Sequence, residues 1–134
     1  MSDVLLVVVD AANVVGSVPD GWWRDRRGAA ERLRDRLAAD GLPGLAGAVE
    51  IVLVVEGAAR GVESVPGVRV ESAPGSGDDH VVELVAAAAG RRRMVVTADR
   101  ELRRRVTALG AEVTGPRTCA TDSRGQERNH RSTG

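Results

Sequence analysis

Several residue types are missing from this 134-residue chain, and each absence excludes a kind of chemistry. Lysine, tyrosine and phenylalanine do not occur, and all 19 basic residues are arginine. The chain therefore has neither a P-loop lysine nor a Schiff-base lysine. A single cysteine, Cys119, excludes an internal disulfide and a zinc site built from several cysteines. Because 19 acidic residues balance the arginines, a generally basic surface is excluded, although a local arginine patch is not.

Long hydrophobic runs are also missing. The longest apolar runs are strand-sized, and the start Met1-Ser2-Asp3 lacks the cationic residues of a signal peptide. We therefore expect a cytoplasmic protein with no membrane partner. With 43% hydrophobic and 28% charged residues, the chain fits one soluble globular domain. Its only aromatic residues are Trp22 and Trp23, so the core must consist of valine, leucine and alanine.

Apolar runs of strand type alternate with segments of helical periodicity. Five strands are predicted: Val4–Val9, Val49–Val55, Val68–Glu71, Met94–Thr97 and Glu112–Thr114. Three helices are predicted: Arg24–Asp40, Asp78–Ala89 and Asp99–Leu109. This alternation predicts an α/β fold of three layers, in which a mostly parallel sheet has helices on both faces.

The composition changes near the end of the chain. From Gly115 onwards the sequence is rich in arginine, threonine, serine and glycine, with almost no large apolar side chain. Such a segment buries too little surface to offset the entropy of ordering. We expect one domain at 1–117 and a disordered tail at 118–134, in which His130 has no catalytic role.

Acidic residues fall where the predicted strands end. Asp10 follows the first strand, Glu56 the second and Asp99 the fourth, while Asp78 and Asp79 open the middle helix. The carboxyl ends of parallel strands share one edge, and open α/β sheets bind ligands there, where the strand order reverses. Neighbouring strands lie about 4.8 Å apart, so carboxylates at these ends would be able to share one ion. An all-oxygen ligand set favours Mg²⁺ or Mn²⁺ over zinc.

Each acid also has an ordinary structural explanation. Asp99, and one of Asp78 and Asp79, would serve equally as helix caps. Glu56 is equally well explained as a solvated loop acid. Asp10 is harder to explain in this way, because no helix is predicted directly after it.

Three other polar residues accompany these acids. The amide of Asn13 would orient Asp10 or bond a phosphate or a metal-bound water, or it would simply form an Asx turn. Thr97 would position the site residues and bind the substrate, or it would simply be the last residue of the strand. We expect His80 to be exposed in the first turn of its helix, so the sequence offers no plausible catalytic histidine.

Arginines near the proposed edge would hold RNA phosphates around an acidic pocket that repels them. They begin the first and last predicted helices: Arg24, Arg26 and Arg27, and Arg100 and Arg103. Trp22, in the loop before the first helix, would stack on unpaired bases or pack against the core. The run Arg91–Arg93 precedes the fourth strand at the opposite edge, where we expect a solvated turn.

Three short motifs combine these residues in chain order. They are Val9-Asp10-Ala11-Ala12-Asn13-Val14-Val15, Gly77-Asp78-Asp79-His80-Val81-Val82 and Val95-Val96-Thr97-Ala98-Asp99-Arg100. Together they resemble the NYN branch of the PIN-like nuclease superfamily, and most closely its YacP-like members, over residues 3–117. The chain departs from the family pattern at two points. Ala11 stands where glycine is common, and the additional acid of some relatives has no counterpart here unless Glu56 supplies it.

The resemblance implies a PIN-like sheet with strand order 3-2-1-4-5, a pocket for Mg²⁺ or Mn²⁺, and endoribonuclease activity. Carried over by position, the resemblance places family residues at Asp10, at Asn13, at Asp78 or Asp79, and at Asp99. We expect Asp10, Asn13, Asp79 and Asp99 to be catalytic. The implied metal ligands are Asp10, Asp78, Asp79 and Asp99. The substrate would be single-stranded RNA, bound by Arg24, Arg26, Arg27, Arg100, Arg103, Trp22 and Thr97.

Two other functions stay open. A non-catalytic RNA-binding or protein-interaction module would keep the sheet without holding a metal. Another Mg²⁺-dependent phosphohydrolase, such as a nucleotide pyrophosphohydrolase, would use similar carboxylates. A haloacid-dehalogenase phosphatase needs a second acid where Ala12 stands, and a Rossmann dinucleotide site needs its glycines after the first strand. The sequence leaves open the number of ions, a ribosome or other RNA-processing partner, and whether the chain is a monomer or a homodimer.

Overall fold

Five strands and four α-helices make up the described part of the chain, with a helix or a 3₁₀ turn between each strand and the next. The computed structural model describes residues 4–16, 25–42 and 48–116. Its strands are β1 Leu5–Asp10, β2 Val49–Val55, β3 Val68–Ser72, β4 Arg93–Val96 and β5 Glu112–Thr114. Its helices are α1 Ala11–Gly16, α2 Arg26–Asp40, α3 Gly77–Ala87 and α4 Arg100–Ala108, and a short 3₁₀ turn spans Gly57–Ala59. None of the described helices is long and apolar enough to cross a membrane. The tail predicted at 118–134 lies outside the described residues.

All five strands run parallel in the order β3-β2-β1-β4-β5, which confirms the predicted sheet. β1 is central, since Val9 pairs with Leu53 of β2 on one side and with Val96 of β4 on the other. The strand order reverses at β1, because the chain first extends the sheet through β2 and β3 and later through β4 and β5. The carboxyl ends of β2, β1 and β4 therefore lie side by side.

Both faces of the sheet are covered by helices, as the alternation of elements predicts. On one face, Val7 and Val9 pack with Val14 of α1 and Leu33 of α2. On the other face, Val8 packs in a second cluster with apolar residues of α3 and α4. Every residue of β1 is buried, and full burial of a valine or leucine contributes roughly 1.5–3 kcal/mol. This burial fixes the position of the strand that carries Asp10.

A helix begins directly after Asp10, so the expectation that none follows it is wrong. α1 starts at Ala11, although its valine pair and terminal glycine are poor helix formers. Val14 is fully buried in the core, and the Asn13 backbone N–H donates to Asp10 Oδ1 at 3.4 Å. A helix of six residues is unstable by itself, so tertiary burial and this contact at its first turn account for it.

α2 begins at Arg26, two residues later than predicted. The cause is Asp25, whose carboxylate accepts the Gly28 backbone N–H at 2.9 Å and caps the helix. Trp22 and Arg24, which the sequence places beside the candidate site, lie outside the described residues.

Arg93 shows that the expected solvated turn at 91–93 is wrong. Its side chain is buried, and its guanidinium donates to the carbonyls of Arg91, Val85 and Leu109 at 3.0, 2.7 and 2.8 Å. Val85 lies in the last turn of α3, where its carbonyl also accepts the Ala88 backbone N–H at 3.3 Å. Leu109 directly follows α4, at a helix end whose carbonyls lack partners within the helix. Arg93 thus ties the C-terminal ends of both helices to the start of β4.

We expect Arg93→Met to lower the free energy of unfolding by roughly 3 kcal/mol, because each buried carbonyl that loses its donor costs about 1–3 kcal/mol. The urea midpoint measures the change. Arg92→Met is the matched control, since Arg92 pairs with Glu112 on the surface and exposed ion pairs contribute little. Equal midpoints for the two variants would contradict the structural role of Arg93.

Candidate active site

Asp10 ends the central strand, and only 6% of its surface is exposed. Its Oδ2 accepts a hydrogen bond from the Thr97 hydroxyl at 3.2 Å, and its Oδ1 accepts the weak one from Asn13. Burial, together with the nearby charges of Asp78 and Glu56, raises the pKa of Asp10 to about 6, against the opposing effect of the two hydrogen bonds. Within the described part of the chain, neither oxygen forms an ion pair. The strand thus carries a buried carboxylate whose negative charge is not compensated.

Thr97 connects the ends of β1 and β4. Its hydroxyl donates to Asp10 and accepts the Asp99 backbone N–H at 3.2 Å. Its carbonyl accepts Nε–H of Arg103 at 2.7 Å. Thr97 has no exposed surface, and its hydroxyl is engaged within the protein, while its predicted substrate contact stays a prediction. Arg103, also predicted to bind phosphate, is half-buried and holds the backbone of Thr97.

The acidic pair at the start of α3 is divided between two environments. Ser76 caps the helix by accepting the Asp79 backbone N–H at 3.1 Å, so neither aspartate is the cap. The Asp79 side chain is 66% exposed and pairs with Arg105 at 3.1 Å. Asp78 is half-buried. Its pKa is raised by burial and then by the charges of Asp99 and Glu56. Asp78, rather than Asp79, is therefore the aspartate whose charge also raises the pKa of Asp10.

Asp99 caps α4, which was the alternative explanation for this residue. One carboxylate oxygen accepts the Leu102 backbone N–H at 2.9 Å, while the charge of Asp99 raises the pKa of Asp78. Asn13 lies beside the same loop, where its Oδ1 accepts the Ala98 backbone N–H at 2.8 Å. Asn13 thus holds the β4–α4 loop against α1 through its side chain.

Glu56 follows β2 and contacts the first residue of α3. Its Oε1 accepts the Gly77 backbone N–H. A Cβ at position 77 would lie 2.6 Å from that oxygen, so any larger residue there would require the Glu56 side chain to shift. Glu56 is half-buried, and its charge raises the pKa of both Asp10 and Asp78. Glu56 is thus not simply a solvated loop acid, which was one of its two interpretations, because it is half-buried and close to other carboxylates.

Four carboxylates, those of Asp10, Glu56, Asp78 and Asp99, lie near enough at this edge of the sheet for their charges to raise the pKa of Asp10 or of Asp78, and we call them the acidic cluster. Oxygen ligands alone suit a hard divalent cation such as Mg²⁺ or Mn²⁺. Across residues 4–16, 25–42 and 48–116, no three acidic, histidine or cysteine side chains converge as a ready ligand group. Mg²⁺ commonly takes one or two carboxylates and keeps several waters. The residues present fit an ion bound in that way.

His80 is less exposed than the sequence predicts. Its Nε2 lies 2.8 Å from Oε1 of Glu71 on β3, its Nδ1 lies 3.6 Å from Glu83, and its side chain is only 16% exposed. The reason is that the start of α3 packs beside the exposed edge strand, where Glu71 offers a partner. His80 therefore contacts β3 and its own helix rather than the acidic cluster.

The predicted phosphate-binding arginines differ in their hydrogen-bond partners. Arg27 donates to the carbonyls of Arg60 and Gly61 at 2.9 and 3.1 Å, which fixes it to the segment after the 3₁₀ turn. Arg100 is exposed at the start of α4, beside Asp99, and contacts no partner within the described residues. Arg27 is thus engaged by backbone carbonyls, whereas the guanidinium of Arg100 is not.

A cleft of about 300 Å³ opens beside the acidic cluster, between α1, α2 and the 3₁₀ turn. Eight of its eleven lining residues are alanine, valine or glycine, and the other three are Arg26, Glu56 and Arg60. Glu56 belongs to both the cleft and the cluster, so the two are continuous. The cleft was not predicted from the sequence, although the small residues that follow the ends of β1 and β2 indicate it.

In metal-free protein, we expect Asp10 to make the fold less stable as the pH rises from about 4 to 6. Its folded pKa of about 6 exceeds 3.8, the ordinary aspartate pKa that applies to the unfolded chain. The folded state therefore binds the proton more tightly, and this contribution is present below pH 4 and lost as the pH passes 6. The shift corresponds to about 3 kcal/mol at 1.36 kcal/mol per unit. Urea unfolding in EDTA across this range measures it.

The control for this measurement is Asp10→Asn, which cannot ionise. The variant should match the parent near pH 4 and be more stable than the parent near neutral pH. A stability difference that stays constant with pH would contradict the raised pKa.

Two crystal structures of Rae1 (YacP) from Bacillus subtilis share this fold. One aligns with a TM-score of 0.64 at 20% identity and covers 98% of this chain and 82% of that one. The other, of a mutant, aligns with a TM-score of 0.64 at 18% identity and covers 92% and 77%. No protein-family profile matches the chain, and no curated protein matches it by sequence. The likeness confirms the fold that the motifs imply: a PIN-like α/β domain, similar in architecture to Rae1 (YacP).

Proposed function

We propose that this protein is a Mg²⁺- or Mn²⁺-dependent endoribonuclease. The observation that carries the proposal is the buried Asp10 carboxylate, which Thr97 holds at the end of the central strand beside the charges of Glu56 and Asp78. Like charges gathered in a partly desolvated site cost free energy unless a cation neutralises them. The sequence resemblance to YacP-like nucleases and the fold shared with Rae1 (YacP) support the same proposal.

Asp10 and Asp78 are the residues that would hold the ion, with Asp99 and Glu56 beside it. When bound, a divalent ion there supplies Lewis-acid activation of water and neutralises charge on the phosphate. The carboxylates need no neighbouring histidine for this chemistry, in agreement with the position of His80 away from them.

The surrounding residues keep the carboxylates in place. Thr97 fixes Asp10 through its hydroxyl, and Asn13 fixes the following loop through the Ala98 backbone. Such positioning matters because a displacement of about 1 Å at a reacting group can reduce the rate roughly 100-fold. We therefore propose Asn13 and Thr97 as positioning residues.

Single-stranded RNA is the proposed substrate. An acidic cluster repels phosphates, so positively charged side chains near it must bind the phosphate backbone of the RNA. Arg100 is exposed directly after Asp99, and arginine binds phosphate through two parallel hydrogen bonds. The phosphate would thus lie between the arginine and the acids.

A non-catalytic RNA-binding module on the same fold is the second candidate. The observation that favours it is the lack, over the described ranges, of three side chains already converged as metal ligands. Such a module would bind RNA without cleaving it in Mn²⁺, which makes the two candidates separable.

We expect Asp10→Asn and Asp78→Asn each to reduce Mn²⁺-dependent cleavage of a fluorescent single-stranded RNA by about 100-fold or more, since each removes a carboxylate that holds the ion. Asp79→Asn is the matched control, because this neighbour is exposed and paired with Arg105. It should retain activity within a few-fold. Equal losses of activity in the Asp78 and Asp79 variants would refute the proposal that only Asp78 of this pair holds the ion. RNA binding without cleavage by the parent protein would favour the second candidate.

We expect Arg100→Ala to weaken RNA binding and to lower the slope of log Kd against log salt by about 0.7, the value for one phosphate contact on a single strand. Fluorescence anisotropy at several salt concentrations measures both quantities. Arg104→Ala is the control, because Arg104 is exposed on the same helix but pairs with Glu101. An unchanged slope for Arg100→Ala would exclude its contact with phosphate.

A further inference from the structure

The cleft beside the acidic cluster is lined by small apolar residues. Ala12 of α1 and Ala30 of α2 line one side, and Val55 and Ala59 line the other. Larger side chains at these positions would fill the space. The cleft therefore depends on alanine at the points where the chain leaves β1 and β2.

The size and lining of the cleft suit a flat ring system. A volume of about 300 Å³ lies at the lower end of the range for small-molecule sites. A nucleobase has two apolar faces and a polar rim, and it is bound in proteins largely through its faces. The apolar lining suits the faces, and Glu56 and Arg60 supply polar groups for the rim.

Arg60 is held in one orientation. Its Nε and Nη2 donate to the carbonyls of Ala73 and Pro74 at 2.9 and 3.1 Å. A guanidinium fixed along one edge keeps its planar face available for stacking and its charge available for a phosphate. Arg26 adds a second positive charge to the lining. The charge of the cleft thus favours a base that carries a phosphate over an uncharged apolar ligand.

Glu56 gives the cleft a hydrogen-bond preference. Its Oε1 accepts from Gly77, while its Oε2 has no donor among the described residues. An ionised carboxylate only accepts hydrogen bonds. Adenine, guanine and cytosine have an exocyclic amino group that can donate, whereas uracil has none.

We propose that this cleft binds an unpaired nucleobase with an exocyclic amino group, and that Glu56 links this base to the acidic cluster. The identity of the ligand rests on the proposed function, whereas the cleft and its lining do not. The cleft then determines which nucleotide of the RNA lies beside the reacting phosphate.

The proposal is tested by NMR of protein labelled at its alanine methyl groups, titrated in EDTA with the four nucleoside 5′-monophosphates. We expect the methyl signals of Ala12, Ala30 and Ala59 to shift with the adenosine, guanosine and cytidine nucleotides. The uridine nucleotide should bind roughly tenfold more weakly, because its one base donor, the ring N3–H, lies between two carbonyl oxygens that the Glu56 carboxylate repels. Ribose 5-phosphate, which lacks a base, is the control. Equal shifts with this control, or no shift with any nucleotide, would overturn the proposal.

A variant that fills the cleft gives a second test. Gly75 lines the cleft, and a Cβ added there meets no atom within 4 Å. Gly75→Leu should therefore fold normally and weaken nucleotide binding roughly tenfold, since the base loses its contact surface. Ala86→Leu adds a similar side chain to an exposed position on α3 and should leave binding unchanged. Unchanged binding in Gly75→Leu would overturn the proposal.

Glu56→Gln tests the hydrogen bond itself, whether or not the leucine variant folds. An amide can also donate, so this variant should still bind nucleotides but lose most of the preference against uracil. A preference that survives the change would exclude Glu56 as its source.

The failures of the two proposals are distinguishable. Nucleotide binding in the cleft without any RNA cleavage in Mn²⁺ would remove the nuclease proposal and leave the base site. Cleavage by the parent protein, with base preference unaffected by Gly75→Leu, would remove the base site and leave the nuclease proposal.

Discussion

The candidate site depends on the central position of β1 in a parallel sheet. Because β2 and β4 flank this strand, Glu56, Asp10 and Thr97 reach the same edge from three different parts of the chain. The hydrogen bond from Thr97 to Asp10 joins two of these strand ends inside the core. Without it, a buried carboxylate would have only the weak backbone contact with Asn13. The sheet therefore sets the positions of these residues, and the loops have a smaller effect on the geometry of the site.

The sequence predicts the sheet and the positions of its acids well, because both follow from local patterns. Uninterrupted valine and leucine runs indicate strands buried on both faces, and the acids stand directly after them. Local patterns do not show which of Asp78 and Asp79 faces the other carboxylates. Neighbouring residues project in different directions from a helix, and the direction is set by Ser76 as the cap. Ser76, Asp78 and Asp79 are all residue types that cap helices and lie within four positions of one another, so the pattern alone does not decide between them.

Other features depended on contacts between distant parts of the chain. α1 forms because Val14 is buried, although its helix propensity is low. Arg93 is indistinguishable in the sequence from its two arginine neighbours, and only the carbonyls of α3 and α4 give it a buried role. The cleft combines residues from two helices, a 3₁₀ turn and a loop. In each case, tertiary packing overrides what the local sequence favours.

The full burial of β1 has a consequence for the chain before it folds. Leu5–Val9 is an uncharged run of leucine and valine without proline, the composition that pairs most readily with copies of itself in cross-β aggregates. In the native sheet this run has a strand on each side and helices on each face, so no edge is left open to another molecule. A parallel sheet assembles slowly, because its strand pairs join residues far apart in sequence. During that interval the same segment is exposed, and the yield of native protein should fall as the concentration during refolding rises.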